Sequence, residues 1–175
     1  MIWRFLCLGL LLLAAPVWGA ALLSWTDLQP PGFRLNPDEV FGGRDISQIS
    51  DMSEEGQRLM DQLQRHLDAA PPVQSLEGQR VILRGFALPL VRREGMSTQF
   101  FLVPYYGTCI HSPPPPANQI VRVAYPEGVA LRGFFASLEV EGNLRLEVTE
   151  HRLGRGAYVL DAQRIEPIDL QWQRD

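Results

Sequence analysis

The sequence predicts a mainly β (α+β) fold: a small five-stranded OB-like barrel, preceded by one helix and an extended N-terminal arm. Three observations carry this prediction. About five short apolar or alternating runs follow Gln79, and one amphipathic helical pattern precedes them. Strands and helices do not alternate along the chain, which argues against a parallel α/β sheet. A chain of 175 residues also protects short strands better in a closed barrel than in an open sheet with bare edges.

The chain begins with a segment typical of an export signal. Residues 1–4 carry one arginine, residues 5–17 form a nearly unbroken apolar run, and Gly19 offers a small residue for cleavage. We therefore expect residues 1–19 to be a cleaved signal peptide and the mature protein to be periplasmic. An uncleaved inner-membrane anchor is the alternative, although the apolar run is short for a membrane span.

Residues 20–75 are predicted to form the arm and the helix. Proline and glycine are dense up to Ser50, which is typical of loops, and Trp25 and Leu28 would pin the arm by burying apolar surface. The helix follows, with Asp51 as its predicted cap and an apolar stripe on one face. Pro71 and Pro72 lie beyond its end, where they would stop it.

Residues 76–175 are predicted to form the barrel. Five strands are expected, at 80–90, 99–104, 119–123, 138–148 and 157–165. Gly85 suggests a bend within the first of them. The fourth pattern fits either a hairpin or one long strand with a bulge at Gly142.

The most unusual stretch lies between the second and third predicted strands, and it is the predicted functional site. Its candidate residues are, in order, Tyr105, Tyr106, Cys109, His111, Pro113, Pro114, Pro115, Pro116, Asn118 and Gln119. The four prolines cannot continue a sheet or a helix, so a stiff extended segment is expected. The two tyrosines and the prolines could form a docking surface for another protein, since aromatic side chains favour interfaces. Asn118 and Gln119 would cap backbone groups that the prolines leave unpaired.

Cys109 and His111 form a candidate metal-binding pair. In an extended segment, residues two apart lie on the same face, and a thiolate with an imidazole suits Zn²⁺ or Cu⁺. Two ligands do not make a tight site, so His66, His151 or Glu150 would have to complete it.

Two other interpretations of this pair stay open. Cys109 could be a nucleophile that His111 activates as a base, although no third, orienting group is recognisable. Alternatively, Cys109 is a small buried apolar residue and His111 a hydrogen-bonded loop residue. His66, at the edge of the helix stripe, is likewise open to a structural or a ligand role.

The charge and cysteine content limit the function classes. Without residues 1–19 the formal charge is −5 (15 − 20), and such an acidic balance argues against a nucleic-acid partner. Cys109 is then the single cysteine, so no internal disulfide can form.

The pattern F-L-V-P-Y-Y-G-T-C-I-H-S-P-P-P-P-A-N-Q, from Phe101 to Gln119 with Phe100 before it, resembles the motif of a family of small exported bacterial proteins classed as a domain of unknown function. The preceding strand, R-G-F-A-L-P-L, is also similar, and the resemblance covers about Gln79 to Ile165. The start at Trp25 looks like the arm of that family as well.

The resemblance implies a non-enzymatic role in transport. Members of that family are often encoded beside an ABC-type ATPase, a permease and a histidine-rich exported protein, in loci associated with zinc acquisition. This context implies a periplasmic accessory protein whose partner is the ABC permease or a periplasmic metal-binding protein. It places metal contact at Cys109 and His111. The membrane would be reached only through the signal segment or the partner.

Overall fold

The computed structural model describes residues 19–34, 36–50, 52–105, 115–131, 133 and 136–169. Its strands are β1 Ala21–Leu23, β2 Arg80–Arg93, β3 Met96–Val103, β4 Val121–Val129, β5 Ala136–His151 and β6 Gly154–Pro167. Its α-helices are α1 Pro37–Phe41 and α2 Glu54–Asp68.

Strands β2 to β6 close into a five-stranded barrel. They pair in the order β2-β3-β4-β6-β5. Strand β5 also pairs with β2 in antiparallel orientation, with Val81 opposite Gly142, and this pairing closes the barrel. The pairing of β4 with β6 is parallel, and the other pairings that close the barrel are antiparallel. Closure leaves no bare edge among these five strands. The predicted mainly β, OB-like barrel is therefore confirmed.

The inner face of the barrel is filled by the alternating residues of the strands. Phe100 and Leu102 point inward from β3, and Tyr158 and Leu160 do so from β6, each with no accessible surface. Complete burial of such a side chain stabilises the fold by about 1.5–3 kcal/mol. Phe100 and Phe101 are both buried, on opposite faces of β3.

The N-terminal arm is fastened to the barrel rather than loose. Strand β1 pairs in parallel with Val81–Leu83 of β2, and Leu28 is completely buried. The indole nitrogen of Trp25 donates to the carbonyl oxygen of Arg84 (2.8 Å). Gly85 leaves room for this indole, because a Cβ there would lie 2.9 Å from the ring. The predicted anchoring of the arm by Trp25 and Leu28 is confirmed. Strand β1 and helix α1 differ from the prediction, because both segments were expected to be loops.

Helix α2 begins with a different cap from the predicted one. Ser53 is the N-cap, and its hydroxyl oxygen accepts a hydrogen bond from the backbone nitrogen of Gly56 (3.0 Å). The predicted cap, Asp51, lies outside the described residues. Serine satisfies the open N–H groups of the first turn as well as aspartate does. No helix of the described part is both long and apolar enough to cross a membrane.

Strand β5 settles the choice left open at Gly142. It is one continuous strand, with a register shift between Glu141 and Gly142 against β6. The chain then turns at Arg152 and Leu153. Strand β6 therefore begins at Gly154, three residues before its predicted start.

Candidate functional site

The predicted site segment leaves the barrel at the end of β3 and returns just before β4. Tyr106, Cys109, His111, Pro113 and Pro114 lie outside the described residues. The structure does describe both ends of the segment. The residues described there are Tyr105, Pro115, Pro116, Asn118 and Gln119.

The departing end starts from a buried strand and reaches an exposed aromatic side chain. Val103 is 1% exposed, whereas Tyr105, two residues later, is 48% exposed. An exposed tyrosine presents apolar area with a polar tip, a combination that is enriched at protein interfaces. Tyr105 thus occupies a surface position, as a docking role requires.

The returning end is held inside the protein by two side-chain amides. Asn118 has no accessible surface, and its amide nitrogen donates to the carbonyl oxygen of Pro71 (3.0 Å). Gln119 is 7% exposed, and its amide nitrogen donates to the carbonyl oxygen of Trp25 (2.7 Å). The carbonyls that these amides bind belong to the arm and to the segment after α2 and not to the proline run, so they are not the backbone groups that Asn118 and Gln119 were expected to cap. Neither side chain is available at the surface, so any part they have in docking is indirect.

Tyr158 ties the same neighbouring segments together. Its hydroxyl accepts from the backbone nitrogen of Val73 (2.6 Å) and donates to the carbonyl oxygen of Leu28 (2.9 Å). Burial raises the pKa of this hydroxyl, so it keeps its donor proton at neutral pH. We call Asn118, Gln119 and Tyr158 the return anchor, because they connect the returning end, the arm and the segment after α2.

One polar atom of the return anchor is unsatisfied. The side-chain oxygen of Asn118 is buried and accepts no hydrogen bond from the protein. Such a group costs about 1–3 kcal/mol when it has no partner. Because asparagine nevertheless occupies this position, its bond to Pro71 must offset that cost in the folded protein.

A second apolar core lies on the outer face of the barrel and meets both ends of the segment. This outer cluster consists of Phe86, Leu88, Phe101, Val103 and Ile120, each at most 8% exposed, with Leu90 and Leu153 at its edge. Val103 lies two residues before Tyr105, and Ile120 immediately follows Gln119. Both ends are therefore rooted in packed apolar side chains.

Sequence reasoning missed the outer cluster, yet a signal was present. Phe86 to Leu88 and Phe100 to Val103 are continuous apolar runs rather than alternating ones. Such runs are typical of strands that are covered on both faces.

The additional ligands proposed for the metal lie on two separate elements. On α2, Nδ1 of His66 lies 2.9 Å from the carbonyl oxygen of Gln62, so this nitrogen carries the proton and Nε2 keeps its lone pair. At the end of β5, Nδ1 of His151 accepts from the backbone nitrogen of Leu153 (3.3 Å), so the proton of the neutral ring is on Nε2. Of these two histidines, His66 is therefore the one that presents a free ring nitrogen of the kind that binds metals.

The remaining surroundings of His151 are structural. Its ring meets Phe101 edge to face, with ring centroids 6.0 Å apart. Glu150 pairs loosely with Arg155 (3.6 Å). Within the described residues, no three histidine, cysteine, aspartate or glutamate side chains come together in a way that could hold a metal ion.

Comparisons with known proteins place these features in a family. Residues 25–167 match the family model described as a protein of unknown function (DUF3299). The chain is also similar to the crystal structure of a DUF3299 family protein from Pseudomonas aeruginosa PAO1. That match has 30% sequence identity and a TM-score of 0.66, and it covers 89% of this chain and 100% of that one. A search of curated proteins finds no match. The chain therefore belongs to the DUF3299 family, whose function is unknown.

Proposed function

We propose that this protein is a non-enzymatic periplasmic accessory of an ABC-type transport system that serves zinc acquisition. It docks through the segment from Tyr105 to Gln119 and binds zinc with Cys109 and His111. The observation that carries the proposal is the fixing of both ends of this segment. One end is rooted in the outer cluster, and the other is held by the return anchor.

Fixed ends favour binding by lowering its entropic cost. A loop that must be ordered on contact loses free energy for every side chain it immobilises. Here Val103 and Ile120, on either side of the segment, are each 1% exposed. The four prolines restrict the backbone between those ends further. This combination supports a segment whose role is to be presented to a partner.

Tyr105 supports docking at the departing end. Interface energy concentrates in a few aromatic and arginine side chains, and an exposed tyrosine adjoining a buried strand is suited to that role. The partner that we propose is the permease of the transport system or its periplasmic metal-binding protein.

The metal chemistry rests on the residue types. A cysteine thiolate and a histidine imidazole suit Zn²⁺ or Cu⁺, and a site with two protein ligands leaves positions open for water or for ligands from a partner. An incomplete site of this kind exchanges its ion readily, which suits a protein that passes zinc onward rather than storing it.

The first test is a zinc titration of the mature protein against a competing chelator dye. We expect Cys109→Ser and His111→Ala each to weaken zinc binding at least tenfold, about 1.4 kcal/mol. Glu166→Gln is the control, since it removes an exposed carboxylate of β6 that is not a candidate ligand, and it should leave the affinity unchanged. Absence of zinc binding, or equal affinity in all four proteins, would refute the metal role.

The same variants separate zinc binding from thiol catalysis. Alkylation of Cys109 should slow when zinc is added, and its rate should follow an ordinary thiol pKa. A rapid reaction at neutral pH that depends on His111 and ignores zinc would support the enzyme instead.

Docking is tested with the purified periplasmic portion of the permease that we propose as the partner. Tyr105→Ala should weaken the complex at least tenfold, whereas Tyr125→Ala, on β4, should not. Equal loss in both variants would contradict docking through the segment.

A further inference from the structure

A cavity of about 480 Å³ lies between the second half of α2 and the turn that joins β5 to β6. Gln64 and Asp68 line it from the helix, and Glu150, His151, Arg152 and Arg155 line it from the turn. Sites for small molecules are concave and occupy about 300–1,000 Å³. This cavity has a suitable size, and most of its chemistry is ionic.

The lining balances charges of both signs. Arg152 and Arg155 contribute two positive charges, and Asp68 and Glu150 contribute two negative ones. A ligand with a single net charge would meet attraction from one pair and repulsion from the other. A ligand with one group of each sign avoids that conflict.

The two guanidinium groups at this turn differ from those of the neighbouring barrel surface. There, five arginines donate hydrogen bonds to carboxylates: Arg80, Arg84, Arg122, Arg145 and Arg164. Arg152 has no ion pair or hydrogen bond with any described residue. Arg155 approaches only Glu150, at 3.6 Å, which is beyond hydrogen-bond distance. Their donors remain available for a carboxylate, which a guanidinium binds with two parallel hydrogen bonds.

Two further polar groups of the lining are already oriented. Because Nδ1 of His151 accepts from Leu153, its Nε2–H is the remaining donor of the ring. The amide nitrogen of Gln64 donates to a carboxylate oxygen of Asp68 (2.7 Å), which fixes that carboxylate while leaving acceptor positions open. The lining thus combines fixed donors with a fixed acceptor.

We propose that this cavity binds a small zwitterion, namely a free α-amino acid or a short peptide with unblocked ends. The carboxylate of the ligand pairs with Arg152 and Arg155, and its ammonium group pairs with Asp68 and Glu150. A volume of about 480 Å³ accommodates an amino acid or a peptide of a few residues. The site uses neither metal nor Cys109, and it stands independently of the zinc proposal.

The test uses three matched peptides with the full mature protein: tri-alanine, N-acetyl-tri-alanine and tri-alanine amide. Backbone amide shifts in NMR locate binding, and their titration gives the affinities. We expect tri-alanine to shift the amides of residues 151–155. Each blocked peptide, which lacks one of the two charges, should bind at least tenfold more weakly.

Variants test the assigned partners. Arg152→Gln and Asp68→Asn should each weaken the binding of tri-alanine at least fivefold. Arg58→Gln, on α2 outside the cavity lining, is the control and should have no effect on this binding. Absence of shifts at 151–155 with millimolar tri-alanine would overturn the proposal. So would equal affinity for the three peptides, or binding that Arg152→Gln leaves unchanged. Each result is independent of whether the protein binds zinc.

Discussion

Strand β2 carries two different surfaces along its outer face. Its first half presents Arg80 and Arg84, which are about half exposed, and its second half presents Phe86 and Leu88, which are buried. The change takes place within a few residues on one face of one strand. It divides the outside of the barrel into an ion-paired region and an apolar region.

The ion-paired region satisfies its charges internally. Glu139 and Glu141 on β5 are shared between arginines of β2 and Arg164 of β6, which also pairs with Glu166. A second group joins Arg145 to Asp161 and to Glu147, and Arg122 reaches the same glutamate. Every one of these charges has an opposite charge beside it, so this surface offers little to a charged partner.

The apolar region is different, because it is both a stabilising core and the base of the Tyr105–Gln119 segment. Exposed ion pairs contribute about 0–1 kcal/mol each, whereas a buried aromatic side chain contributes several times more. The comparison teaches that the exterior of this barrel is stabilised mainly beside the candidate site and not where its many contacts are ionic.

The largest expected effect is that of Phe101→Ala. Phe101 is 1% exposed within the outer cluster, so its truncation should lower the free energy of unfolding by about 3–5 kcal/mol. Urea denaturation followed by circular dichroism measures this change. Arg84→Ala, on the ion-paired half of β2, should cost less than about 1 kcal/mol.

If Phe101→Ala does not fold, Ile120→Val provides the same test on a smaller scale, with an expected loss of about 0.5–1.5 kcal/mol. Equal losses for Phe101→Ala and Arg84→Ala would remove the distinction between the two regions.

An intermediate effect is expected from Glu141→Gln. The side chain of Glu141 is only 14% exposed and accepts hydrogen bonds from Arg80 (2.9 Å) and Arg164 (3.1 Å). Loss of these charge-assisted bonds should lower the free energy of unfolding by about 1–2 kcal/mol. Glu166→Gln is the matched control: its side chain is 52% exposed, and a change near zero is expected. A larger loss in the control would show that exposure does not govern this network.

The smallest effect is a change in acid stability. Hydrogen bonding from Arg145, and secondarily from Arg122, lowers the pKa of Glu147 below its usual value of about 4.3. A carboxyl whose pKa is lowered by folding contributes stability above its unfolded pKa, and this contribution disappears as the pH falls through the lowered value. In Glu147→Gln, the free energy of unfolding should therefore fall less steeply as the pH drops below about 4.

Arg145→Gln should make the free energy of unfolding fall less steeply over the same acidic range, since it removes the main partner of Glu147. The midpoint of urea denaturation between pH 6 and pH 3 measures both variants. If stability falls as steeply with decreasing pH in both variants as in the parent, the role assigned to Glu147 and Arg145 is contradicted.

The barrel strands were largely predictable because each is marked by a pattern of residues within its own segment. Alternation identified the β5 pattern, and Gly142 marked its irregularity before any pairing was known. The arm was less predictable, because β1 is three residues long and its partner, Val81–Leu83, lies far along the chain. A strand this short carries too little periodicity to distinguish it from a loop.

The boundaries of the candidate site could be predicted from the sequence, but the contacts that hold its ends in place were less predictable. The prolines marked the segment, whereas Asn118 and Gln119 were expected to cap backbone groups of the proline run and instead bind the carbonyls of Pro71 and Trp25. Which carbonyls they cap could not be inferred, because Trp25 and Pro71 lie 94 and 47 residues away. The cavity beside Arg152 was also missed, since it forms only where α2 meets the β5–β6 turn.

The hydrogen bond between Tyr158 and Leu28 also bears on the order of folding. It joins residues 130 positions apart, so the arm obtains this partner only after most of the chain has been synthesised. A contact between such distant residues requires closure of a very long loop, which slows folding. The arm, which emerges before the barrel strands, therefore obtains its bond to Tyr158 only once β6 has emerged. Trp25 can reach Arg84 of β2 earlier, so the two contacts of the arm form at different stages.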